Sequence, residues 1–245
     1  MPNPRYPQTR FSGTLSGNTK PLMGVRCLVL IFFAERLTLV GVLVAAALAV
    51  FLVLAYEVHG GETQRFDAAV FHYFQAHQSP IAHLLMAGVS LFASGWAISA
   101  VSLACFAALL RMPARRPDAL ALLLAAAGGQ GVVYGMKALF HRARPEAAFA
   151  SLGYSFPSGH SFAAVTLYGM MAYWLVRAAP HRRTWIWSGA ALLILLVGFS
   201  RIYLGVHYAS DVAAGFTAGL LWLWGCCAPS SHSFGGRGRK EEEDF

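Results

Sequence analysis

The chain has 245 residues, of which 57% are hydrophobic and only 12% charged; soluble domains carry roughly 25% charged residues, so the composition points to a membrane protein and away from a water-soluble one. The net charge of +8 sits in short clusters between apolar stretches, not along a stripe with interleaved aromatics. That pattern argues against a nucleic-acid partner and for membrane orientation together with an anionic substrate. Cys27, Cys105, Cys226 and Cys227 form neither a CxxC nor a zinc-type spacing, and they read as small buried hydrophobes.

Residues 1–36 begin as a polar leader, and their apolar stretch around 28–33 is interrupted by Arg26, Glu35 and Arg36. It is too short and too charged to span, so the leader is expected to be cytoplasmic, partly disordered or interfacial. Residues 37–56 are uncharged and almost wholly apolar, which predicts a first span that acts as an uncleaved signal anchor. Residues 57–80 carry charges and histidines, with Phe66, Val70, Phe71 and Phe74 at helical spacing. The run 81–110 is too long for one comfortable span and too short for two; it divides into a short helix at the outer surface, 81–92, and a second span, 95–110. Further spans are expected at 119–140, 162–176, 185–202 and 212–228, and the Gly/Ser-rich tail 229–245, ending in acidic residues, reads as disordered and cytoplasmic. The expected fold is all-α: a polytopic membrane protein whose six-transmembrane helical bundle occupies residues 37–228.

Six spans put both termini on one side. The leader, the turns 111–116 and 177–183 and the tail then hold most of the basic residues, and the positive-inside rule makes that side the cytoplasmic face of the inner (plasma) membrane. The exceptions are Arg65, Lys137, Arg142, Arg144 and Arg201, and all but Arg65 fall within 137–157 and 201–211. Charges that defy the orientation rule need another reason to be there.

Three constellations occupy those regions. Lys137 and Arg144 are spaced to project from one face as the third span ends, with Pro145 turning the chain. Pro157, Ser158, Gly159 and His160 directly precede an apolar run, so Ser158 or Gly159 would cap a helix whose free N–H groups and dipole favour phosphate. Ser200 and Arg201 are followed by His207 and Asp211, placed on one helical face or in neighbouring turns of a loop; the carboxylate would orient the imidazole. Each constellation alone is weak: interfacial anchors, a helix cap and a passing histidine would explain them. Together they supply what phosphoryl transfer requires: His207 as in-line nucleophile, His160 as proton donor, and a cage from Lys137, Arg144, Arg201, the Ser158 hydroxyl and the Gly159 N–H. Among their neighbours, His141 and Arg142 read as solvated among headgroups rather than as holders of a second phosphate, and Tyr154 and Phe156 as interfacial aromatics.

The pattern Lys-x6-Arg-Pro, Pro-Ser-Gly-His and Ser-Arg-x5-His-x3-Asp over residues 137–211 resembles the type 2 phosphatidic acid phosphatase family, in the superfamily shared with vanadium haloperoxidases. The resemblance implies a phosphohistidine on His207, oriented by Asp211, and a His160 that protonates the leaving group and then activates water. It implies no cofactor and no metal, and Glu146 is a single carboxylate, not a magnesium site. The implied substrate is a lipid phosphate or polyprenyl diphosphate, attacked at the extracytoplasmic ends of the helices. A lipid phosphotransferase using the same intermediate, or a non-catalytic transporter or scaffold of the same fold, are the alternatives.

Overall fold

The computed structural model describes residues 21–146 and 153–227 and, within these, the side chains of all but residues 21–39 and Ala114. The expected features of the leader before residue 21 and of the acidic tail lie outside the described residues. The chain divides into two units, residues 1–43 and 44–245. The first holds helix α1 as far as Leu43, and the second holds the rest of α1 and every later element.

All regular structure among the described residues is helical. Helix α1 (Pro21–Gly60) starts well before the span expected at 37, because Arg26, Glu35 and Arg36 limit membrane insertion but not helix formation. Helix α2 (Gln64–Ala76) follows, then α3 (Pro80–Leu91), whose first turn is set by Pro80 and by Ser79, the side chain of which accepts the Ala82 N–H at 3.2 Å. The chain breaks at 92–94 before α4 (Gly95–Leu110), as the awkward length of this region led one to expect. A basic turn leads to α5 (Arg116–Leu123), a π-helical turn Leu124–Gly128 and α6 (Gly129–Phe140). The π turn is lined by Ala and Gly and lets Trp222 approach; the indole N–H donates to the Ala125 carbonyl at 3.1 Å.

Four segments are long and apolar enough to cross a hydrocarbon layer: Val40–Gly60, Pro80–Leu110, Arg116–Phe140 and Pro180–Tyr203. The last contains α8 (Arg183–Tyr203). Helices α7 (Gly159–Ala178) and α9 (Ala209–Cys227) are long enough but fall outside this apolar set. The reason is burial within protein: Ser161 to Leu167 of α7 are all buried, whereas α8 exposes Leu192 and Leu195. A helix that faces other helices needs small residues more than leucines.

The α7–α9 contact shows this directly. Gly215 and Gly219 lie one turn apart on α9 and face α7. A Cβ at Gly215 would stand 2.6 Å from the Ser158 carbonyl oxygen, and one at Gly219 would stand 2.9 Å from the Val165 Cβ. The close approach lets the Ser158 N–H donate to the Asp211 carbonyl at 2.9 Å, so the start of α7 and the start of α9 are joined. Gly215→Ala is therefore expected to cost about 1–3 kcal/mol by overpacking against backbone and to lower the unfolding temperature in detergent. Gly189→Ala, whose Cβ meets open space, should leave that temperature unchanged or raise it. Equal melting of the two variants would contradict this packing.

Candidate active site

Helix α6 stops at Phe140 because His141 adopts the left-handed conformation (φ 48°) and its N–H donates to the Lys137 carbonyl at 3.1 Å. Residues 141–145 lack helical structure, so Lys137 and Arg144 do not share a helical face as their spacing predicts. Arg144 instead reaches back from the loop. Both nonetheless line one cavity of about 560 Å³, together with Gly159, His160, Arg201 and His207. It lies where α6 and α8 end and α7 and α9 begin.

Each cation is held by neutral acceptors. The Lys137 ammonium donates to the carbonyls of Tyr154 and, at 3.3 Å, of Ser155. Arg144 donates from Nε to the Gly153 carbonyl and from Nη1 to the Val206 carbonyl, each at 3.1 Å, and Nη1 stands 3.4 Å from His207 Nε2. Arg201 donates from Nη1 to the Ser90 hydroxyl of α3, while its buried Nε has no hydrogen-bond partner among the described residues. A buried donor of this kind wants an acceptor. No carboxylate lines the cavity among the described residues.

Ser158 is the N-cap of α7, as expected, but its hydroxyl turns inward and accepts from the Ser161 hydroxyl at 3.0 Å. Gly159 and His160 line the cavity; Ser158 does not. His207 lies in the loop before α9 and is 3% exposed. Its Nδ1 stands 3.5 Å from Asp211 Oδ2 and makes no hydrogen bond among the described residues. Of the two placements the spacing allowed, the loop placement is the one found.

Burial pushes the His207 imidazole down to about 4, against the opposing pull of Asp211. Burial, assisted by the positive charge of Arg201, His207, Arg144 and Lys137, pushes His160 down to about 3. Although burial opposes it, the neighbouring His207 and Arg142 hold the Asp211 carboxyl below its ordinary range. Both imidazoles are thus neutral at neutral pH and Asp211 is ionised.

Two site residues escaped the sequence. Arg142, expected among solvated headgroups, has a side chain only 13% exposed and pairs with Asp211 Oδ1 at 2.6 Å and with Asp67 Oδ2 at 2.7 Å. Asp67 on α2 is 1% exposed, while the neighbouring Phe66, expected on the apolar stripe, is 61% exposed. The signal was present: Asp67, Val70, Phe71 and Phe74 keep the same helical spacing, which places a carboxylate on the packed face. Phe156 is also a correction. It is fully buried against Phe140 and Phe51, with ring centroids at 4.8 and 6.4 Å, and is not an interfacial aromatic.

Comparison with known proteins points to one family. Residues 118–233 match the model of the PAP2 superfamily. The chain is 33% identical over 180 residues to the phosphatidylglycerophosphatase B of Bacillus subtilis, covering 70% of this chain and 86% of that protein. A 66-residue stretch is 38% identical to an undecaprenyl-diphosphatase of Sulfolobus acidocaldarius, covering 27% of this chain and 29% of that protein. The crystal structure of a transmembrane PAP2 type phosphatidylglycerolphosphate phosphatase from Bacillus subtilis superimposes with a TM-score of 0.72 at 27% identity, over 77% of this chain and 96% of that one.

The depressed midpoints set an expectation for titration. An imidazole with a lowered pKa gains its proton only as pH falls through that value, so His207 and His160 should both remain neutral from pH 8 down to about pH 5. Nitrogen NMR of histidine-labelled protein in detergent reads this; an imidazolium signal for His207 at pH 6 would contradict it.

Proposed function

The chain belongs to the PAP2 superfamily, and from that premise we propose that it is a metal-independent phosphatase that removes phosphate from a membrane lipid through a phosphohistidine on His207. The observation that carries the reading is the buried His207: its Nδ1 faces Asp211 and its Nε2 faces Arg144 in a cavity with two further cations. A nucleophilic nitrogen aimed into a cationic pocket is what attack on a phosphorus atom needs.

In the first step, His207 Nε2 attacks phosphorus while the bond from phosphorus to the lipid oxygen breaks. Positive charge develops on the imidazole, and Asp211 stabilises it at Nδ1. Lys137, Arg144, Arg201 and the N-terminal amides of α7 neutralise the charge on the equatorial oxygens. The leaving oxygen takes a proton from His160. That imidazole is neutral in the empty site, and a phosphate dianion beside it offsets the surrounding cations and raises its proton affinity. Neutral again, His160 removes a proton from the water that attacks the phosphohistidine, giving inorganic phosphate and free His207.

The three cations bring the charge that a divalent ion would otherwise supply. The substrate reading is a glycerophospholipid monophosphate of the phosphatidylglycerol phosphate type. It is supported by the match over 180 residues to a phosphatase of that description, against 66 residues for the diphosphatase. Purified protein should release phosphate from such a lipid in EDTA, and His207→Ala should remove turnover by a factor of 10³ or more, on the order of other lost nucleophiles, while remaining folded. Dependence on added magnesium, or retained turnover in His207→Ala, would overturn the mechanism; preference for a polyprenyl diphosphate in a substrate panel would overturn the lipid class.

The proposed topology counts residues 162–176 of α7 and α9 from residue 212 onward as spans, for six in all, with the site outside the cytoplasm. Supporting this, Arg111, Arg115, Arg116, Arg177, Arg182 and Arg183 gather at the helix ends opposite the cavity. Single cysteines placed at Arg111 and Gly153 in a variant without the native cysteines should be labelled by an impermeant thiol reagent on whole cells only at Gly153. The reverse pattern would invert the topology.

A further inference from the structure

The strongest feature that the mechanism leaves unused is the buried cluster behind Asp211. Arg142 sends Nη1 to Asp211 Oδ1 at 2.6 Å and to the Ser210 hydroxyl at 2.7 Å. It sends Nη2 to Asp67 Oδ2 at 2.7 Å and to the Thr63 hydroxyl at 3.3 Å. The Tyr208 ring lies 4.5 Å beneath the guanidinium. Asp67 in turn accepts from the Ser210 N–H at 3.0 Å and from its hydroxyl. Arg142 does not line the cavity, and both of its terminal nitrogens are taken, so it is not one of the phosphate holders.

We propose that Arg142 and Asp67 are positioning residues: Asp67 fixes the Arg142 guanidinium, which locks the Asp211 carboxylate in the orientation that presents Oδ2 to His207. The inference rests on the reading of His207 as nucleophile. Asp211 has two oxygens, and Arg142 takes Oδ1 while the Tyr208 N–H takes Oδ2 at 2.9 Å. Together these two bonds set the plane of the carboxylate, and a bidentate-capable guanidinium holds it more rigidly than an ammonium would.

The arrangement also sets charge. Two carboxylates share one guanidinium, so the cluster presents a single net negative charge to His207 rather than two. Around the pair stand Lys137 from α6, Arg144 and Glu146 from the loop, His160 from α7, Arg201 from α8 and the Tyr208 phenol. Substituting Arg142 or Asp67 leaves all of those in place. Without the guanidinium, Asp211 pulls harder on a His207 proton, so the His207 midpoint rises. A tie that merely fastens α2 to α9 would change stability without moving that midpoint.

The test uses the full-length protein in detergent, with nitrogen NMR of His207 and steady-state hydrolysis of a lipid monophosphate. Arg142→Gln should lower kcat roughly 10²-fold, as small misplacements of reacting groups do, with KM little changed, and should shift the His207 midpoint upward. Arg142→Lys keeps the charge and should recover part of kcat with the wild-type midpoint. Asp67→Asn should lower kcat without raising the midpoint. Wild-type kcat and midpoint in a folded Arg142→Gln variant would overturn the proposal; if that variant does not fold, wild-type kcat in both Arg142→Lys and Asp67→Asn would do so. A wild-type protein that hydrolyses no lipid monophosphate, but whose His207 midpoint still rises in Arg142→Gln, would sink the proposed function and leave the positioning role standing.

Discussion

One guanidinium holds together parts of the chain that are far apart in sequence. Arg142 joins Asp67 on α2 to Asp211 on α9, and the carboxylates are 1% and 0% exposed. Charges removed from water in this way are tolerable only as a matched set, and deleting one member of a buried pair typically costs about 3–5 kcal/mol because the other is left uncompensated. That constraint ties the short loop after α6 to both helices. On the cavity side of the cluster, Asp211 Oδ2 lies 3.5 Å from His207 Nδ1.

The helix packing serves the same end. Gly215 and Gly219 let α9 lie against α7 closely enough for the Ser158 amide to bond the Asp211 carbonyl. The N-terminus of α7, with His160 in its first turn, is thereby set beside the N-terminus of α9, with Asp211 in its first turn. Without a hydrophobic drive between helices in lipid, such contacts depend on shape, and small residues allow the necessary approach.

The cavity has the opposite electrostatic character from the cluster behind it. Lys137, Arg144 and Arg201 are each anchored by carbonyl or hydroxyl oxygens and not by carboxylates. Their charge is therefore oriented but not cancelled, and it adds to burial in depressing the proton affinity of His160. The mutual repulsion of these groups is relieved by an anion, which under the proposed function is the phosphate of the substrate. The buried Arg201 Nε, without a hydrogen-bond partner among the described residues, is a donor that such an anion would meet.

The sequence by itself determined the helical class, the membrane character and seven of the residues that the fold brings together at the cavity or directly behind it (Lys137, Arg144, Gly159, His160, Arg201, His207 and Asp211). Those were legible because chemistry needs particular side chains in particular order, and because charges in apolar surroundings stand out. Ser158 was legible as a cap, but only the tertiary structure decided that its hydroxyl turns away from the cavity. Asp67 was legible only as a carboxylate at packed-face spacing, without a partner, and no local pattern distinguishes Arg142 from a headgroup contact. Pairing between residues 67, 142 and 211 is a long-range electrostatic fact, and local spacing carries no record of it. The end of the third span at Phe140 was legible, but the turn after it was not: His141 adopts a left-handed conformation that its residue type does not demand, and the loop's contacts with α9 fix where the chain turns.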